Sequence, residues 1–153
     1  MVSGGHPGPA TVVLPDEIRA AIVAHARGDY PNEACGIISG TAAPAAGGTA
    51  SRWFATRNQD ASPLRFTIHP DDLYRIYTTI DDADEEVWAI VHSHVRSAAR
   101  PSATDIGLAT SWPDALYVLV SLAEEHADPL TGEPGIRAWR IVDGEVFEVE
   151  LTR

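Results

Sequence analysis

Two continuous apolar runs dominate what this chain can become. VWAIVH (residues 87–92) and LYVLVSL (residues 116–122) are each of strand length and show no polar alternation. Such a run belongs in the middle of a sheet covered on both faces, because a half-exposed strand would alternate. Cover requires helices. The spacing predicts one over residues 16–27, with Pro15 and Asp16 at its start, Ile18, Ile22 and Val23 on one face, and Gly28 at its end. A second is predicted over 70–80, opened by Pro70 and carrying Leu73, Ile76, Tyr77 and Ile80. A third, short helix is predicted over 102–110. Further strands are expected over 11–14, 35–39, 49–56 and 64–68. A closing hairpin is expected over 136–142 and 145–151, around the two-residue turn signal Asp143-Gly144. Strands and helices mix along the chain, so the expected class is α/β: a three-layer α/β/α domain with a mixed sheet.

The 153 residues fit one domain, expected over 11–153, with residues 1–10 (MVSGGHPGPA) as a loose tail. That tail has neither a basic start nor an apolar run, and no stretch of the chain approaches the ~20 apolar residues of a membrane helix. A cytoplasmic location is the expectation. A formal charge of -11 argues against sequence-independent binding to nucleic acid or to an anionic membrane, which need clustered cations. Cys35 is the single cysteine, so no internal disulfide can form. All eleven cations are arginine, which excludes a P-loop lysine and a Schiff-base lysine.

Chemistry concentrates in His92-Ser93-His94, followed by Ser102 and Asp105. The two histidines are two apart at the end of an apolar strand run. Residues i and i+2 of a strand project from one face, about 6.6 Å apart along it, so both imidazoles can converge on one ion. On a helix they would diverge. Asp105, eleven residues after His94 and in the first turn of the third helix, supplies the third ligand. Two histidines and one carboxylate leave a fourth position for water, the pattern of a catalytic zinc site with one Zn²⁺ per chain. Zinc lowers the pKa of a bound water towards ~7. Glu33, in PNEACG, is the candidate general base, and Ser102 the candidate donor to an oxyanion. A plainer reading stands beside this one. Ser102-Ala103-Thr104-Asp105 fits the [ST]-x-x-[DE] start of a helix. Ser102 can serve both roles, since a capping hydroxyl keeps its own proton. An Asp105 carboxylate turned to a metal is expected to point away from the cap.

Together these residues resemble the JAMM (MPN+) metallopeptidases, whose signature is an early glutamate, then H-[ST]-H, seven residues, Ser, two residues and Asp. Glu33, His92-Ser93-His94, VRSAARP, Ser102, Ala103-Thr104 and Asp105 match every position and both spacings. EACG, PS-A-TD, LYVLVS and RIVDGEV are similar to the small bacterial members of the Mec type. The resemblance implies a cytidine-deaminase-like α/β/α fold and a zinc peptidase. Its implied substrate is a ubiquitin-like sulfur carrier protein ending in Gly-Gly, from which a C-terminal cysteine or short tail is released. A homodimer is compatible with it. Val95 stands where many members have Pro, and the long insertion that reads polyubiquitin linkages is missing.

Arg96 and Arg100 lie between His94 and Ser102. An arginine fork suits a substrate's terminal carboxylate, and solvated loop arginines are the alternative. Cys35 reads as a small buried residue, Trp88 and Tyr117 as core beside the site, and DDADEE (81–86) as a solvated helix end. Two other functions remain open at this point: an isopeptidase acting on protein conjugates, and a non-catalytic scaffold. A nucleobase deaminase lacks its P-C-x-x-C ligands.

Overall fold

A computed structural model describes residues 8–153. The expected tail falls mostly on residues 1–7, outside the described residues. Ala10 accepts a hydrogen bond from the Glu150 amide. In chain order the elements are β1 (Thr11–Val13), α1 (Asp16–Asp29), β2 (Cys35–Gly40), β3 (Ala50–Thr56), α2 (Pro70–Asp82), β4 (Glu86–His94), α3 (Ala103–Leu108), β5 (Leu116–Ser121), β6 (Gly135–Val142) and β7 (Glu145–Thr152).

The strands form one mixed sheet in the order β1-β7-β6-β5-β4-β2-β3. The β1/β7 and β4/β5 pairs are parallel and the others antiparallel. The two apolar runs that anchor the sequence reading are β4 and β5, adjacent at the centre, and every residue of β5 is buried. Each face carries its own apolar cluster. On one, Ile18, Ile22 and Ala26 of α1 pack on Ala89, Val91, Val118 and Val120. On the other, Ile76 and Ile80 of α2 pack on Ile37, Ile90, Tyr117, Leu119 and Trp139. The result is the expected three-layer α/β/α arrangement. Asp143 and Gly144 both take positive φ, 50° and 80°, which turns β6 into β7 as their sequence predicts.

Four local expectations change. Helix α1 runs through Gly28 to Asp29 and stops at Tyr30, whose extended backbone (φ -50°, ψ 133°) follows from the proline after it. The strand expected over 64–68 does not form. Phe66 and Ile68 are buried as a strand's alternation requires, but Leu64 is 85 % exposed and only a single bridge, Asn58 to Ile68, joins the segment to other backbone. The Asn58 side chain replaces the ladder there, bonding the Arg65 carbonyl and the Thr67 amide. Residues 57–69 are therefore a strap across the α2 face rather than a strand. Tyr77, expected on the apolar face of α2, is 43 % exposed and stacks on Trp112. Trp88 is core, but in the α1-face cluster near the start of β4, with its Nε1 donating to Gly48.

Candidate metal centre

His92 and His94 are the last alternate pair of β4, and both project to the α2 face, in step with Ile90. Their rings meet edge to face with centroids 5.1 Å apart. Asp105 occupies the first turn of α3, which folds back over the strand end. His92, His94 and Asp105, all buried, bring one ligand atom each to within 4.8 Å of one another. Asp105 Oδ2 lies 3.1 Å from His92 Nε2 and 3.1 Å from His94 Nε2.

The seven-residue connection from His94 to Ser102 holds this fold-back in place. Three consecutive carbonyls in it are each bonded by a side chain of the sheet. Ser121 Oγ donates to Ser97 at 2.6 Å, His94 Nδ1 to Ala98 at 2.8 Å, and Trp139 Nε1 to Ala99 at 2.8 Å. A carbonyl can only accept, so the proton of a neutral His94 sits on Nδ1 and its lone pair on Nε2. That lone pair faces a carboxylate oxygen that also carries lone pairs. His92 adds to this: its Nδ1 is buried without a hydrogen-bond partner, and its Nε2 meets only the Asp105 oxygen at 3.1 Å. Two imidazole nitrogens and a carboxylate oxygen converging on one buried point can hold a cation between them. This donor set, N, N and O, suits a divalent metal.

Ser102 caps α3 and forms the capping box with Asp105. Its Oγ accepts the Asp105 amide at 3.1 Å, and Asp105 Oδ2 accepts the Ser102 amide at 2.9 Å. The expected conflict between capping and ligation is absent, because the oxygen that closes the cap is the one that faces the histidines. The hydroxyl proton of Ser102 stays free to donate.

Glu33 stands just before β2 and is 5 % exposed. Ala34, next to it, exchanges two bonds with Ser93, the residue between the histidines: Ala34 N to Ser93 Oγ at 2.8 Å and Ser93 N to Ala34 O at 3.0 Å. The serine of the H-S-H triplet thus ties the glutamate segment to the strand that carries the histidines. Gly36 follows because the Trp53 ring and the Phe54 carbonyl occupy the space a Cβ would need. Glu33, His94, Ser102 and Arg96 line one cleft of about 540 Å³, walled by Tyr30, Pro31, Pro63, Leu64 and Val95. Arg100 does not line it: its guanidinium lies over the Trp139 ring, 4.9 Å from the centroid.

Electrostatics follow burial. Desolvation pushes Glu33 up to about 7, opposed by His94 and reinforced by Asp105. Burial alone would raise Asp105, but the bonds it shares with His92 and His94 and the Ser102 amide hold it well below the usual carboxylate range. Complete burial lowers His92. Burial also opposes the charged form of His94, but Asp105 and the Ala98 carbonyl outweigh it and raise that group. Cys35 is raised to about 11 by burial, far from a reactive thiolate.

Sequence reasoning missed the stacking partner of His92. Phe66 lies face to face with it, centroids 4.4 Å apart. Among the described residues, no helix is long and apolar enough to cross a membrane.

Residues 15–142 match the prokaryotic homologs of the JAB domain. The CysO-cysteine peptidase of Mycobacterium tuberculosis (strain CDC 1551 / Oshkosh) is 39% identical over 137 residues, 90% of this chain and 87% of that protein. Desampylase of Haloferax volcanii is 32% identical over 113 residues, 71% of this chain and 78% of that protein. The solution structure of a Desulfitobacterium hafniense protein superposes with a TM-score of 0.76 at 28% identity, covering 93% of this chain and 92% of that one.

Proposed function

The chain belongs to the prokaryotic homologs of the JAB domain, and from that premise we propose that it is a zinc-dependent peptidase of the cytoplasm. Its substrate in this reading is a ubiquitin-like sulfur carrier protein extended beyond a Gly-Gly terminus, from which it releases cysteine or a short tail. One observation carries the chemistry: Glu33, His94 and Ser102 line the same cleft, and His94 belongs as well to the buried His92, His94 and Asp105 group that can hold a cation. The length of the match to a CysO-cysteine peptidase supports the substrate class.

His92, His94 and Asp105 would hold the zinc. When bound, the ion supplies Lewis-acid polarisation of the scissile carbonyl and lowers the pKa of the attacking water. Glu33 takes the water proton on its carboxylate and passes it to the leaving amine nitrogen. Its pKa of about 7 suits both halves of that transfer near neutral pH. Ser102 donates its free hydroxyl proton to the carbonyl oxygen as that oxygen gains charge. Arg96, the cation on the cleft wall, meets the terminal carboxylate of the released residue. Arg100, held on Trp139 and outside the cleft, is left without a role at the substrate.

A carrier-Gly-Gly-Cys fusion incubated with zinc-loaded protein should lose its cysteine, read by mass spectrometry. Glu33→Ala and His92→Ala should abolish the release. Unchanged cleavage in either variant would sink the assignment. Faster cleavage of a lysine-linked conjugate than of the C-terminal adduct would make the protein an isopeptidase instead. Binding of a carrier without hydrolysis by protein that takes up no zinc would make it a scaffold, whereas about one zinc per chain argues against that.

A further inference from the structure

Asn58, in the strap, uses its whole hydrogen-bonding capacity: two donors and an acceptor with two lone pairs. Its Oδ1 accepts the Asp60 amide at 3.0 Å and the Thr67 amide at 3.0 Å. Its Nδ2 donates to the Arg65 carbonyl at 3.0 Å and to the Glu33 carbonyl at 3.0 Å. Three of these bonds close the strap on itself. The fourth leaves it and lands on the backbone of the residue assigned as general base.

A second bond makes the same connection. The Glu33 amide donates to the Ser62 carbonyl at 2.8 Å. Both backbone polar groups of Glu33 are therefore bound to the strap, while both those of Ala34 are bound to Ser93. Glu33 hangs between two supports. One is the strand carrying the histidines. The other is a strap whose Phe66 lies on His92 and whose Pro63 and Leu64 wall the cleft. A carboxylate displaced by about 1 Å from its place can lose about a hundredfold in rate, so what holds the Glu33 backbone matters to the reaction.

We propose that Asn58 is a positioning residue for the peptidase reaction, which sets Glu33 over the cleft through the Glu33 carbonyl without touching substrate. The proposal rests on Glu33 being the general base. Asn58→Asp keeps the Oδ1 acceptor for Asp60 and Thr67 but turns a second acceptor against the Glu33 carbonyl and the Arg65 carbonyl, so it breaks the link to Glu33 together with one bond inside the strap. Thr67→Val is the complementary control. It removes the Thr67 hydroxyl bond to Asp60 Oδ2, 2.7 Å, and leaves every Asn58 bond in place.

Steady-state kinetics on the carrier adduct, zinc content and amide hydrogen exchange are measured for the full-length chain and both variants. Asn58→Asp should keep its zinc and its KM within about twofold, with kcat reduced by about tenfold to a hundredfold. Its Glu33 amide should exchange faster than in the parent chain while the β5 amides do not. Thr67→Val should retain kcat within about twofold. Parental exchange at Glu33 and parental kcat in Asn58→Asp would overturn the proposal, as would a kcat loss matched by lost zinc or reproduced by Thr67→Val. If Asn58→Asp does not fold by circular dichroism, Asn58→Ala is judged by the same criteria. If the parent chain cleaves no adduct, the proposed function falls, and the exchange comparison, which needs no substrate, still decides whether Asn58 holds Glu33.

Discussion

The Phe66 ring lies parallel to His92, with centroids 4.4 Å apart and planes at 23°. Both side chains are buried, at 8 % and 1 % exposure, on the α2 face of the sheet. The imidazole Nδ1 makes no hydrogen bond, so this contact does for His92 what the Ala98 carbonyl does for His94. It fixes the plane of the ring.

Phe66→Ala should therefore act twice. Removing a buried phenylalanine is expected to cost about 3–5 kcal/mol of stability. Freeing the His92 ring should also weaken metal binding, by about tenfold to a hundredfold, the usual range for losing a ligand's outer support. Chemical denaturation gives the first quantity and competition with a zinc chelator the second. Phe66→Leu should recover most of the stability and little of the affinity. Equal recovery of both would assign Phe66 to the core alone.

Ser102→Ala removes two things of different size. The lost cap should cost about 1 kcal/mol of stability. The lost hydroxyl donor should cost about a hundredfold to a thousandfold in kcat. Zinc content should not change, because Asp105 keeps the Ser102 backbone amide at 2.9 Å. A kcat loss of only a few-fold would remove Ser102 from the oxyanion role.

Glu33→Gln should stabilise the metal-free chain while abolishing turnover. Burial raises the folded-state pKa of Glu33 to about 7, whereas an unfolded glutamate titrates near 4.3. A raised folded pKa means the protonated form fits the fold. Its contribution is complete below about pH 4.3 and is lost as pH rises through about 7. The variant should therefore melt above the parent at pH 8, and the gap should close towards pH 4. General-base catalysis is worth about a hundredfold to ten-thousandfold, so kcat in the zinc-loaded form should fall by that much. A melting gap independent of pH would show that Glu33 does not titrate in the fold.

Much of this was readable from the residues. His92 and His94 could be placed on one side because an apolar run of strand length sets period-two geometry. Asp143-Gly144 announced its own turn and with it the closing hairpin. Asp105 was harder, because its cap and its metal-facing role share one oxygen, which no spacing rule separates. The strap defeated local reasoning. LRFTI alternates as a strand does, but beyond one bridge its backbone is held by the side chain of Asn58, a contact set by tertiary packing. Gly28 failed as a helix end because nothing in α1 required a left-handed turn there, and Pro31 supplied the stop.

The anchor of that strap carries its own pH signature. Asp72 of α2 receives the backbone amide of Arg57 at 2.8 Å and its guanidinium at 3.1 Å and 3.0 Å, at the point where β3 gives way to the strap. The side-chain bond from Arg57 outweighs burial and, with the Arg57 amide and Arg75, lowers the Asp72 carboxyl to about 2. An unfolded aspartate titrates near 3.9. A depressed folded pKa stabilises the fold above about pH 3.9, and that stabilisation disappears as pH falls through about 2. Asp72→Asn should accordingly lower the melting temperature of the metal-free chain at pH 6, with the deficit shrinking between about pH 4 and pH 2. Thermal denaturation of both forms across that range tests it. A constant deficit would assign the loss to packing, and would leave Arg57 held by its backbone amide rather than by charge.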